Sequence, residues 1–402
     1  MARPLRSEEF DISKVSKDLC ELLLSDLERA RRPVLKATKC ALDNSLYNPK
    51  VGYLVPGDKM VSTELNVSSV KKMSRTIFML EIILRNIESG AINTKRELYY
   101  ISKGEIKHNK KLKPLDFEDQ SDSDSIIDFI GELMECYREE LNCYANDRGG
   151  QTYSQQLVVT ETMPNGEIAT IDLSKLGTSP FQPKNRPQNL KLKAKSKIDF
   201  ALVVESEGTA NTLVNSGFTK RNNAILIGAQ GVPSNAVRGW SKLIQDQLSV
   251  PMYFFGDLDA YTMQNIFRTL KAGSAASLIR NADFSAPEVK FLGVLPDDIK
   301  RYDLPDYGVR EADVQEGRAL KKAHDALKND PFFQDKRNKG LSDILHWLIK
   351  NKRRCEQQSY FSVNPRDPLM PEKIILEKIK NKHYIWSCHE WKSNHLLRLR
   401  QM

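Results

Sequence analysis

The sequence lacks any pair of cysteines at C-x-x-C spacing. Its six cysteines, Cys20, Cys40, Cys136, Cys143, Cys355 and Cys388, are scattered. That pattern excludes a zinc ribbon and suits a reducing compartment better than a disulfide framework. The tail Trp386-Ser-Cys-His-Glu-Trp-Lys-Ser-Asn-His395 holds one cysteine and two histidines, without the second cysteine a zinc site needs. Nothing approaches the roughly 20 consecutive apolar residues of a membrane span, and the start MARPLRSEEF has no apolar signal core. An intracellular protein is expected, cytoplasmic and nucleoid-associated, or nuclear in a eukaryote. A G-x-x-x-x-G-K-[ST] phosphate loop is missing too, so ATP, if used at all, is handled by another chain.

What is present is ordinary globular material with a basic bias. A chain of 402 residues, 40% hydrophobic and 28% charged, can build two or three folded domains. Its formal charge of +9 suits a polyanionic partner, although a lysine-rich solvated surface gives the same sum.

Residues 1–62 read as an N-terminal extension containing a helical patch from Val15 to Ala30. The spacing of Leu19, Leu22, Leu23 and Leu27 suits either packing on a neighbouring domain or docking on a partner protein. From Val70 the series Val70, Met73, Ile77, Leu80, Leu84, Ile87 repeats at helical spacing and stops at Gly90. A second helix opens at Thr94-Lys-Arg-Glu97, a capping box in which threonine and glutamate close each other's free backbone donors. Helix, short turn and basic helix describe either an all-helical core or a helix-turn-helix that meets DNA. On the second helix Arg96 and Tyr100 share a face. Asp116 to Ser125 reads as an exposed acidic loop, and helical periodicity resumes from Ile126 to Tyr144. Leu157–Thr162 and Glu167–Ile171 flank Pro164-Asn-Gly166, a hairpin signal fit for the wing of a winged helix. Pro180 to Pro187 breaks regular structure, and Lys191 to Lys197 carries four lysines, placing a domain boundary near 185.

Beyond it, short apolar runs alternate with helical patterns, as in an open, largely parallel α/β sheet. Phe200–Val204 ends at Glu205, Ala224–Ile227 at Gly228, and Met252–Phe255 at Gly256 and Asp257. Ligands of such sheets bind beyond the carboxyl ends of the strands, where residues distant in sequence converge. Glu205, Asp257 and Asp259 there offer hard oxygen ligands suited to Mg2+. The competing reading makes them helix N-terminal carboxylates that stabilise the macrodipole.

The order of these motifs resembles the A-subunit family of topoisomerase VI, the type IIB DNA topoisomerases, and its meiotic relative that makes programmed double-strand breaks. The resemblance spans roughly residues 60 to 385. It rests on Lys72-Met-Ser-Arg-Thr76 leading into Thr94-Lys-Arg-Glu-Leu-Tyr-Tyr100, on Ser121 to Leu133, Val203-Val-Glu205, Gly231-Val-Pro233 and Asp257-Leu-Asp259, and on Lys290-Phe-Leu-Gly-Val-Leu-Pro-Asp-Asp-Ile299, Glu356-Gln-Gln358 and Leu369-Met-Pro-Glu-Lys-Ile374.

The resemblance implies an α/β fold plus winged helix: the N-terminal extension, a winged-helix (CAP-like) domain over 63–185, and a Toprim Rossmann-like domain over 186–402 with a C-terminal helical elaboration. It implies Tyr100 as nucleophile, Arg96 as its cationic companion, and Glu205, Asp257 and Asp259 as Mg2+ ligands. A phenol with a pKa of about 10 needs such help to attack phosphate at neutral pH. Tyr99 otherwise reads as a packed aromatic rotated about 100° away on the helix. The implied partners are double-stranded DNA, a second copy in a homodimer, and a GHKL-type ATPase B subunit completing an A2B2 heterotetramer. The implied activity is double-strand cleavage through a phosphotyrosyl intermediate. A meiotic-type transesterase that reseals poorly and a non-catalytic DNA-binding relative are the alternatives. In two places the sequence departs from the family pattern: Ala260-Tyr261-Thr262 follow the D-x-D where proline, an aromatic and glycine are usual, and Gln230 precedes Gly231-Val-Pro233 where a lysine is common.

Overall fold

The computed structural model describes residues 11–144, 150–163, 166–183, 189–309 and 314–386. Cys388 and nearly all of the Cys/His tail lie outside them, as do Pro164 and Asn165 of the hairpin turn. The chain forms two compact units, Met1–Asn44 with Pro56–Asn146, and Ser45–Val55 with Asp147–Met402. The boundary expected near 185 falls inside the second unit.

In the first unit, helix α1 (Ile12–Glu28) starts where the Asp11 carboxylate accepts the Lys14 N–H at 3.1 Å. One stripe of it packs inward. Val15 and Leu19 lie on a core built from Phe78, Met79, Ile82, Ile83, Leu98 and Ile130, while Leu23 joins Leu35, Met73 and Phe129. Leu22, Leu24 and Leu27 remain exposed. Strand β1 (Val34–Thr38) is separated in sequence by the hairpin β2 (Ser45–Asn48) and β3 (Tyr53–Pro56) from β4 (Met60–Glu64), with which it pairs antiparallel.

Helix α2 (Val70–Glu88) stops as its period foretells, with Gly90 at φ +69°, where a side chain would be strained. Helix α3 (Lys95–His108) opens on the capping box: Thr94 Oγ1 accepts the Glu97 N–H at 3.2 Å, and Glu97 Oε2 accepts the Thr94 N–H at 2.6 Å. Such a cap contributes on the order of 1 kcal/mol. The acidic loop expected at Asp116–Ser125 is mostly helix. Helix α4 (Gln120–Leu133) begins six residues before Ile126, because Asp119 caps the Asp122 N–H at 3.1 Å and acidic groups favour the positive end of the helix dipole.

The second unit contains β5 (Gln151–Tyr153), β9 (Phe200–Val204), β10 (Ala224–Gly228), β11 (Met252–Phe255) and β12 (Lys290–Gly293), which form a five-stranded sheet in the order β12-β11-β9-β10-β5. Strands β9 to β12 run parallel and β5 is an antiparallel edge. Every residue of β9, β10 and β11 is buried, as in a sheet covered on both faces. The expected hairpin is present as β6 (Leu157–Thr162) and β7 (Ile168–Asp172), joined by β8 (Leu190–Ala194) in a three-stranded sheet. It belongs to the second unit, whereas α2, α3 and α4 belong to the first. Among the described residues, no helix is long and apolar enough to cross a membrane.

Candidate active site

The residues expected to carry chemistry fall into two groups, one per unit. On α3, Leu98 is buried and anchors the helix, Tyr99 packs half-buried against the same core, and Tyr100 is 59% exposed. The two tyrosine rings meet edge-on, 5.3 Å between centroids. Neighbouring lysines are already neutralised: Lys95 pairs with Asp128 and Lys103 with Asp116, each at 2.6 Å. Arg96, exposed and one turn before Tyr100, has no carboxylate partner among the described residues. The face that displays the phenol therefore displays an uncompensated guanidinium beside it.

In the second unit the parallel strands deliver the three acids to one edge. Glu205 follows β9, and its N–H continues the ladder by donating to the Phe255 carbonyl at 3.0 Å. Across that edge the Asp257 N–H donates to Glu205 Oε2 at 3.0 Å, so the backbone between β11 and Asp257 touches the glutamate directly. Gly256 makes this approach feasible. A Cβ there would lie 2.5 Å from Glu205 Oε2 and 2.4 Å from the Phe254 ring. The Gly256 carbonyl and N–H are held by Val294 and Gly293 of the neighbouring strand end, at 2.6 and 2.8 Å.

Thr262 and Gln357 complete the cradle. The Thr262 hydroxyl donates to Glu205 at 3.0 Å and its N–H to Asp259 Oδ1 at 2.6 Å. The Gln357 N–H donates to Asp257 Oδ1 at 2.9 Å. Burial of the carboxylates, followed by the charge of Asp257, pushes Glu205 up to about 8. Burial likewise raises Asp257 to about 6, the Gln357 N–H opposing it and the charges of Asp259 and Glu356 adding to it. Asp259 is raised as well, mainly by burial. Asp259 does cap the helical turn that follows it, accepting the Thr262 N–H, whereas Glu205 and Asp257 accept backbone donors distant in sequence or across the strand edge.

Among the described residues, no group of three or more His, Cys, Asp or Glu side chains is arranged so that it could hold a metal ion. Each carboxylate is instead turned to a protein donor. The donor chemistry nevertheless fits Mg2+, which keeps several waters and uses one or two carboxylates together with substrate phosphate oxygens. Three adjacent acids whose charged forms are disfavoured are the setting a divalent cation relieves.

A family model described as type IIB DNA topoisomerase matches residues 71–143, and a second, described as the Toprim domain of the topoisomerase 6 A subunit and Spo11, matches 200–379. The A subunit of type 2 DNA topoisomerase 6 from Methanocaldococcus jannaschii is 30% identical over 365 residues, covering 89% of this chain and 92% of its own length. The chain belongs to the A-subunit family of topoisomerase VI. The corresponding protein of Pyrococcus abyssi is 26% identical over 388 residues, covering 94% and 97%.

Against that family pattern, the departure at Ala260-Tyr261-Thr262 acquires a physical use. Thr262 stands where the family places glycine, and both its donors engage the acids. Gln230, in place of the usual lysine, sits at φ +59° directly before Gly231, whose N–H donates to the Glu205 carbonyl at 3.0 Å. Thr262 and the Gln357 backbone escaped the sequence reading. Glu356-Gln-Gln358 stands out as a motif, but its approach to Asp257 depends on a pairing about a hundred residues away in sequence.

Proposed function

We propose that this chain is the DNA-cleaving subunit of a type IIB topoisomerase. It makes double-strand breaks through a phosphotyrosyl intermediate, while a separate GHKL-type ATPase B subunit drives strand passage in an A2B2 assembly. The observation that carries this reading is the combination of an exposed Tyr100 and its neighbour Arg96 on one unit with three acids gathered at one strand edge of the other. We assign α2 and α3 to the helix-turn-helix of a winged-helix domain.

In the proposed reaction, Tyr100 Oη attacks a DNA phosphorus. The P–Oη bond forms as the bond from phosphorus to the departing sugar oxygen breaks; the phenol gives up its proton and the sugar oxygen gains one. The phosphoester count is unchanged, so the reverse step reseals the strand. Arg96, on the same helical face, holds the charge that grows on the phosphate oxygens. Glu205, Asp257 and Asp259 would hold the Mg2+, which when bound supplies charge neutralisation and orientation of the phosphate.

One tyrosine per chain cuts one strand, so a symmetric dimer is needed for a paired break. We assign Tyr100 of one protomer to work beside the acids of its partner. Mixing inactive Tyr100→Phe chains with inactive Asp257→Ala chains tests this. Sharing in trans leaves one complete site per heterodimer and restores single-strand nicking of supercoiled plasmid. Continued inactivity, with heterodimers verified by native mass measurement, would count against it.

A further inference from the structure

A second segment runs beside the D-x-D. Leu258 and Cys355 form an antiparallel bridge: the Leu258 N–H donates to the Cys355 carbonyl at 2.8 Å, and the Cys355 N–H donates back at 3.2 Å. Both side chains are buried, 0% and 1% exposed. Side chains alternate along extended chain, so the residues flanking this pair leave on the opposite face. The antiparallel register sets Asp259 opposite Arg354 and Asp257 opposite Glu356. Strand β14 (Arg353–Arg354), paired to β13 (Tyr307–Gly308), holds this segment in place. The Arg353 guanidinium is bound to Asp306, and that of Arg354 lies 6.0 Å over the Tyr307 ring and 3.9 Å from Glu356 Oε1. Its side chain is 34% exposed, so solvent and a ligand reach it.

We propose that Arg354 is a DNA-phosphate ligand of the cleavage centre, receiving the phosphodiester that approaches Asp257 and Asp259. The inference rests on the cleavage reading above. An edge bearing three acids and Glu356 repels a phosphate, and a guanidinium fork on the same face both offsets that repulsion and matches two phosphate oxygens at once. Lysine at 354 would keep the charge and lose the fork.

The test uses the full chain with Arg354→Gln and Arg354→Lys. Duplex binding is measured over a salt series in EDTA, and covalent adduct formation is measured with Mg2+. Arg354→Gln is expected to shrink the slope of log affinity against log salt by about 0.9, the contribution of one phosphate contact. It should also cut adduct formation at saturating DNA by at least tenfold. Arg354→Lys should keep the wild-type slope and recover part of the cleavage. An unchanged slope in Arg354→Gln overturns the proposal, whether cleavage stays normal or falls together with the melting temperature; the latter marks Arg354 as only a structural counter-charge for Asp259. A wild-type chain that forms no adduct fails the cleavage reading instead, and the slope still decides whether Arg354 meets phosphate.

Discussion

The two units treat their chemical groups in opposite ways. On α3 the fold is carried by Leu98 and the inner side of Tyr99, and Tyr100 and Arg96 lie on the exposed side. At the sheet edge the fold and the chemistry share atoms: Glu205, Asp257 and Asp259 are wedged between strand ends and bound by backbone donors, and their charged forms are disfavoured by burial. A displayed group can be removed without disturbing its unit. A wedged one cannot, and its removal acts on stability and reaction together.

The largest effect that sharpens this contrast belongs to the acids. Asp257→Asn or Asp259→Asn should lower Mg2+-dependent cleavage by at least about 10²-fold, the scale of losing one charge-stabilising group in an active site. Duplex binding should largely persist, and the melting temperature should move. Normal cleavage by both variants at limiting Mg2+ would return these residues to the role of helix caps.

A glycine-to-alanine pair breaks or confirms the comparison next. At Gly256 a Cβ collides with Glu205 and Phe254, so Gly256→Ala should destabilise the fold by about 1–3 kcal/mol and depress cleavage. At Gly104, inside α3, a Cβ meets nothing within 4 Å, so Gly104→Ala should stabilise by about 0.5–1 kcal/mol through helix propensity. Equal shifts of the same sign in denaturant melts would show that the two regions do not differ in this way.

The smallest effect is in pH. Glu205 has a folded-state pKa of about 8, above its ordinary value, so between about 4.5 and 8 the folded state binds more protons than the unfolded one. Without divalent cations, stability should therefore fall as pH rises through that window, with Asp257 adding to the fall up to about 6. Glu205→Gln should flatten the dependence. Parallel melting curves for wild type and variant across pH 5 to 8 would contradict the burial of this charge.

Local signals were legible in the sequence, and long-range pairing was not. The α2 period, the Thr94/Glu97 box and the strand ends at Glu205 and Asp257 can be read from neighbouring residues alone, and the structure contains each. Leu190 and Leu192 alternate with Lys191 and Lys193, a strand period that the count of lysines concealed. The β1–β4 ribbon joins segments about 25 residues apart and leaves little local trace. In the acid centre the carboxylates were legible and their supports were not. Thr262 reaches Glu205 across 57 positions and Gln357 reaches Asp257 across 100, distances at which only the fold decides proximity.

The account depends first on Tyr100 as the nucleophile, and locating the covalent bond tests it most directly. Cleaved DNA complexes are digested with protease and nuclease, and the nucleotide-bearing peptide is mapped by mass spectrometry in wild type, Tyr99→Phe and Tyr100→Phe. The expected result is a nucleotide on Tyr100 in wild type and Tyr99→Phe, and no adduct in Tyr100→Phe despite retained duplex binding. A nucleotide on Tyr99, or an adduct that survives in Tyr100→Phe, would contradict the assignment.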